Sequence, residues 1–191
     1  MAAVTRRRPA TYADLEALAP NLVGELIAGE LYASPRPAVP HAVSGSALGG
    51  ELYGPFQRGR GGPGGWWILD EPELHFGDDV LVPDLAGWRR ARMAAPPRTA
   101  EIELAPDWVC EVLSPSTARL DRAVKMPVYA RAGVEWLWIV DPIVRLVEVY
   151  RLGIGGYTQV VVLADDARAR VPPFEAIELE LAALWGEASS G

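Results

Sequence analysis

Apolar residues come in short runs cut by 19 glycines and 17 prolines, so the elements should be short. Thr11 to Leu18 reads as a small helix with Thr11 as N-cap, and ELIAGELYASP, from Glu25, as a hairpin turning at Ala28-Gly29. His41 to Arg58 reads as a helix after a proline-rich stretch, and RGRGGPGG (58–65) as a loop. The middle alternates at the two-residue period of strands. WWILDEPELHF and VLVPDLAGW read as two strands separated by Gly77-Asp78-Asp79, and DWVCEVL (107–113) as a third. A helical stretch follows SPST and runs to about Arg131, with Gly133 as its left-handed cap and Pro127 as a kink. EWLWIVD and RLVEVYR, turning at Asp141-Pro142, then YTQVVVLA, complete the strands, and Glu178 to Trp185 reads as a short helix. The pattern predicts one α/β domain over 1–191, with a mixed, mostly antiparallel sheet flanked by helices.

Composition narrows the function. Half of the 191 residues are hydrophobic, enough for a real core, and the formal net charge of −7 argues against broad non-specific binding to nucleic acid. Any cationic groove should follow the helix that carries Arg119, Arg122, Lys125 and Arg131. One cysteine, Cys110, leaves no internal disulfide framework, and no apolar run approaches the roughly 20 residues of a membrane span. MAAVTRRRPA is basic without an apolar stretch behind it, which is not a secretory signal. A cytoplasmic location is expected. Of the 18 basic residues, 17 are arginine and one is Lys125. A lone lysine in such a background suggests a position where a planar guanidinium cannot serve.

Two acids are embedded in apolar strands. In WVCEVL, Glu111 shares a face with Val109 and Leu113 while Trp108, Cys110 and Val112 face the other way, as in a doubly covered strand. An ionised Glu there needs a compensating partner, either an arginine or a divalent metal. Asp84 follows Pro83 between Val82 and Leu85, at a strand end or bulge, where it either caps a turn or serves a site. Asp121, Lys125 and Tyr129 follow at i, i+4 and i+8 on one helical face. Glu25 and Glu30 flank the hairpin turn, His41 opens the next helix, and Ser114 and Ser116 suit its cap or a DNA contact. For Trp66-Trp67, sheet packing is favoured over stacking on unpaired bases.

The order P-D, E-V-L, then Lys resembles the PD-(D/E)XK nuclease fold. The wording ELIAGELYASP, VPDLAGW, EVLSPST, then Asp121, Lys125, Tyr129, then AGVEWLWIVDP and VEVYR is similar to the Uma-type family of proposed bacterial restriction endonucleases, from about Leu22 to Tyr150. The resemblance implies a restriction-endonuclease-like core acting on DNA. It implies Mg²⁺, or Mn²⁺, held by Asp84, Glu111 and the backbone carbonyl of Val112, with Lys125 and Glu25 as further catalytic residues. One departure stands out: Leu113 occupies the position where the parent motif keeps its lysine, so Lys125 on the following helix would supply it. Two other functions remain, a diverged nuclease fold that binds without cutting and a metal-carboxylate hydrolase of small phosphoesters. A homodimer or higher oligomer is expected, with EWLWIVD and RLVEVYR offering an edge for a partner. Reaching into a wet cleft, Lys125 should matter little to thermal stability.

Overall fold

A computed structural model describes residues 8–35 and 37–187. The first seven residues of the basic N-terminal stretch lie outside the described residues, as does Arg36 of the proline-rich segment. The chain opens with α1 (Tyr12–Glu16), where the Asp14 carboxylate accepts the Thr11 N–H at 2.8 Å and so closes the start of the helix. β1 (Leu22–Ile27) and β2 (Glu30–Pro35) form the expected hairpin. Its turn places Ala28 and Gly29 at φ 53° and 75°, the mirror-image geometry that matches strand twist. The Ala28 N–H donates to Asp79 Oδ1 at 2.7 Å, which pins the less suited of the two residues.

α2 (Val39–Leu52) and a π-helical turn (Tyr53–Gln57) bury Ser44, Leu48, Leu52 and Phe56, a four-residue spacing that lays one face on the sheet. The next strands are β3 (Trp66–Asp70), β4 (Glu73–Phe76), β5 (Asp79–Leu81), β6 (Leu85–Arg89) and β7 (Glu101–Ile102). After them come β8 (Trp108–Val112), β9 (Trp136–Asp141), β10 (Leu146–Gly153) and β11 (Gly156–Ala164). A short pair, β12 (Arg168–Ala169) and β13 (Leu179–Glu180), leads into α5 (Leu181–Leu184). The six-stranded sheet has the order β11-β10-β9-β8-β6-β3 and the five-stranded sheet β2-β1-β5-β4-β7. Among the described residues only the β8–β9 and β4–β7 pairs are parallel, so the architecture is α/β with mostly antiparallel sheets.

The two middle runs are not two strands but four. WWILDEPELHF breaks at Glu71-Pro72 into β3 and β4, and VLVPDLAGW breaks at Pro83-Asp84 into β5 and β6, each run passing from one sheet to the other. A proline cannot donate to a ladder, so each run changes sheet where its proline stands. The two breaks lie side by side, with the Glu71 N–H donating to the Asp84 carbonyl at 3.1 Å. Asp84 therefore sits at the seam between the sheets.

β8 and β9 are joined by a helical run of α3 (Ala118–Leu120), a π turn (Asp121–Lys125) and α4 (Met126–Ala132), closed by Gly133 at φ 82°. The disturbance expected from Pro127 is this π turn, which lies one residue before Met126-Pro127. β8 is buried along its whole length. On one face Trp108 and Trp138 pack edge-on against Phe174, which also meets Phe56 and Trp66 at ring distances of 4.7 and 5.0 Å. On the other face Val109, Leu113, Leu137 and Tyr129 form a second apolar cluster with Leu74 and Leu81. Trp66 belongs to the first cluster and Trp67 packs on the second, so sheet packing is what this pair does. EWLWIVD and RLVEVYR become β9 and β10, both interior, and cannot offer the edge assigned to them; on that side β11 is outermost.

Candidate active site

The seam between the sheets opens into a cleft of about 310 Å³. Glu25 from β1, Glu71 and Asp84 from the two breaks, Glu111 from β8 and Asp121 and Lys125 from the π turn all line it. His41 of α2 and the backbone at Val112 complete the wall.

Lys125 is the hub. Its side chain is 3% exposed, and Nζ lies 2.9 Å from Glu25 Oε1, 2.9 Å from both Glu111 oxygens and 3.6 Å from Asp121 Oδ1. It also donates to the Val82 carbonyl at 3.3 Å, while the Val82 N–H donates to Glu25 Oε1 at 2.9 Å. These contacts tie α4's approach to both sheets. They run against the expectation of a side chain in a wet cleft whose loss leaves stability unchanged, because the lysine is buried and bonded on several sides. The π turn accounts for the burial, because it rotates Asp121 and Lys125 into the cleft together.

Glu111 is 2% exposed and receives Lys125 together with a short hydrogen bond from the Tyr129 hydroxyl. Asp84 is differently held: Oδ2 accepts the Val112 N–H at 2.6 Å, and Oδ1 lies 3.0 Å from His41 Nε2. Asp84 and the residue after Glu111 are thus bonded directly, across the gap where β6 begins and β8 ends. Of the hairpin acids, Glu25 enters the cluster and Glu30 stays exposed, accepting from Tyr32. His41, near the start of α2, faces Asp84. Ser114 caps the turn into α3, its Oγ accepting the Thr117 N–H at 3.2 Å and contacting Ser116.

Five carboxylates line the cleft against one lysine and one histidine. Burial pushes the Glu111 carboxyl well above the usual range, Lys125 acting against the shift and the neighbouring acids adding to it. Burial likewise lifts Asp121 to about 6. Burial alone would lower Lys125, but Glu111, Glu25 and Asp121 outweigh it and hold the ammonium well above its ordinary value. Burial also opposes the charged form of His41, and the bond to Asp84 prevails and raises it. Burial thus drives the two acids up, while the surrounding carboxylates hold the two bases up against it.

The family model described as "Putative restriction endonuclease", Uma2, matches residues 9–183. The chain belongs to the Uma2 family. A crystal structure of a putative nuclease belonging to DUF820 from Anabaena variabilis, 23% identical, superposes with a TM-score of 0.75 over 93% of this chain and 98% of that one. At this identity the likeness shows the fold, an α/β core shared with that structure. No curated protein matches the chain significantly. Among the described residues no helix is long and apolar enough to cross a membrane.

Sequence reasoning missed Tyr129 as a donor to Glu111 and Glu71 as a wall of the cleft. The spacing of Asp121, Lys125 and Tyr129 carried the first signal, since a lysine brought to Glu111 brings the next turn with it. Glu71 had none, because its position depends on a strand break. Of the four cations that a groove along this helix would use, Arg122 pairs with Glu148, Arg131 with Asp79 and Lys125 is buried, which leaves Arg119 exposed without an ion pair among the described residues.

Proposed function

We propose that this Uma2 protein is a Mg²⁺-dependent endonuclease that hydrolyses phosphodiester bonds in DNA, with Mn²⁺ as a substitute ion. The observation that carries this reading is the direct bond between Asp84 and the backbone next to Glu111, in a cleft with more carboxylates than cations. The donor chemistry fits a hard cation. Among the described residues no three His, Cys, Asp or Glu side chains are grouped to hold an ion by themselves. Mg²⁺ does not need such a cage, since it keeps several waters and takes one or two carboxylates. Asp84, Glu111 and the Val112 carbonyl would hold it, and when bound it supplies Lewis-acid polarisation of a phosphoryl oxygen and a water of lowered pKa.

The chain's own residues do the rest. His41 orients the Asp84 carboxylate, and Tyr129 fixes that of Glu111. Lys125, kept protonated by the surrounding acids, places a compact positive charge where negative charge develops on the phosphate, and Glu25 holds the ammonium in place. A relaxed-circle assay on supercoiled plasmid tests the reading. Wild type with Mg²⁺ should nick, EDTA should stop it, and Asp84→Asn should reduce it by at least about 10²-fold, the scale of losing one stabilising contact. No nicking with either ion overturns the reading.

A second reading has its own support. Both Glu111 oxygens are engaged by Lys125 and Tyr129, and the in-strand lysine position holds buried Leu113. A diverged fold that binds DNA without cutting would be so arranged; binding without nicking favours it, and turnover of small phosphoesters alone favours a hydrolase of those. We place the protein in the cytoplasm, in keeping with the buried, unpaired Cys110. Cutting both strands of a duplex calls for two such clefts, and a two-fold dimer is the commonest closed assembly. Light scattering should return about twice the 20.6 kDa of one chain, and the mass of a single chain at micromolar concentration would exclude the dimer.

A further inference from the structure

The cleft lies at one end of the six-stranded sheet, where β6 starts and β8 finishes. The opposite end, about 13 Å along β6 at strand rise, is built from arginine and tryptophan. The guanidinium of Arg89 lies 4.7 Å over Trp66, that of Arg90 4.0 Å over Trp67 and that of Arg151 5.2 Å over Trp136. The register aligns Gly87, Trp108, Trp136 and Arg151 in one row from β6 to β10, with the Arg89–Trp66 pair two residues further along β6 on the same face and the Arg90–Trp67 pair wrapping the strand ends from the other face. Arg90 also donates to the Gln57 carbonyl at 3.0 Å, which brings in the end of the π turn after α2 and, with it, Arg58 and Arg60. Arg92 follows on the turn after β6.

This rim holds six exposed arginines with two paired acids, Asp107 for Arg89 and Arg92 and Glu135 for Arg151. Arg58 and Arg60 have no ion pair among the described residues. The grouping runs against the local composition. Residues 61–110 carry nine acids and four arginines, and three of those arginines, Arg89, Arg90 and Arg92, stand here together. A solvated face does not need guanidiniums laid on indole rings. That arrangement fixes the planar forks in advance, so less side-chain entropy is lost when they meet a ligand.

We propose that the rim is a second contact surface for DNA, binding backbone phosphates of a duplex apart from the cleft. Forked guanidiniums match phosphate oxygens bidentately. From β6 to β10 the row crosses about 14 Å, and that length of duplex presents roughly eight phosphate charges. With a net charge of −7, the chain as a whole repels DNA, so attraction has to be local. The helix beside the cleft offers little of it: Arg122 and Arg131 pair with acids, Lys125 is buried, and Arg119 alone is exposed with no ion pair among the described residues. The proposal takes only the identity of the polyanion from the nuclease reading, and binding is measured without cleavage.

The test is fluorescence anisotropy in EDTA with a labelled duplex of about 20 bp, titrated from about 50 to 200 mM salt. The protein is the full chain, as wild type and as the double variant Arg58→Glu/Arg60→Glu. Affinity should fall at least about tenfold, and the slope of log K against log salt should become shallower by about 1.8, the equivalent of two phosphate contacts. Arg58→Gln/Arg60→Gln should keep the slope change without added repulsion, and circular dichroism checks that both variants fold. Unchanged affinity and slope overturn the rim, as does equal displacement of the duplex by polyglutamate of matched charge. Absence of nicking with the rim effect intact removes only the proposed activity. Intact nicking with an unaffected double variant removes only the rim.

Discussion

Lys125→Ala should lower the unfolding free energy by about 3–5 kcal/mol, the cost of removing one partner from a buried ion pair. The side chain is 3% exposed and stands between Glu25, Glu111 and Asp121, so its loss leaves three carboxylates facing one another with no cation among them. Urea denaturation reads the effect as a shift in midpoint with little change in slope. Lys125→Arg separates charge from shape. It keeps the cation but forces a larger, planar group into a filled position, so stability should fall by only about 1–3 kcal/mol, as for overpacking. Cleavage should still drop by about 10²-fold, because the fork cannot set its charge where the ammonium stands. A midpoint for Lys125→Ala equal to wild type would show that the lysine is not a structural hub. Equal cleavage by Lys125→Arg and wild type would remove it from the chemistry.

What the sequence made legible was local. Strict alternation in WVCEVL placed Glu111 among apolar neighbours on the correct face, because period two is fixed by strand geometry whatever the strand pairs with. The arginine background isolated Lys125, and the four-residue steps put it on one face with Asp121 and Tyr129. The misreadings all depend on pairing between distant segments. Whether a proline marks a bulge within a strand or a passage between sheets depends on the partners either side, so Pro72 and Pro83 hid the seam that positions Asp84. EWLWIVD and RLVEVYR are as apolar as an edge awaiting cover, and are apolar here because they are central. The surplus positive charge of the Lys125 helix shrank to Arg119 once Glu148 and Asp79 arrived from other strands to meet Arg122 and Arg131. The arginine rim was equally invisible, since its six arginines come from three separate segments.

Glu111→Gln should abolish Mg²⁺-dependent nicking while leaving the metal-free protein as stable as wild type to within about 1 kcal/mol, because a buried charge is lost along with its attraction to Lys125. The amide keeps an oxygen for the Tyr129 hydroxyl, and Lys125 retains Glu25 and Asp121 as partners. The change is thus confined to the charge that a cation would require. That separation lets stability report on binding directly. An ion that binds only the folded protein stabilises it by RT ln(1 + [L]/Kd), about 2.7 kcal/mol at a hundredfold excess over Kd. Wild type should gain thermal stability as Mg²⁺ is raised, and Glu111→Gln should gain little. Asp84→Asn should behave in the same way, since the other carboxylate alone binds weakly. If Glu111→Gln shows the wild-type Mg²⁺ response and still nicks plasmid, Glu111 serves Lys125 alone, and its burial in β8 is structural.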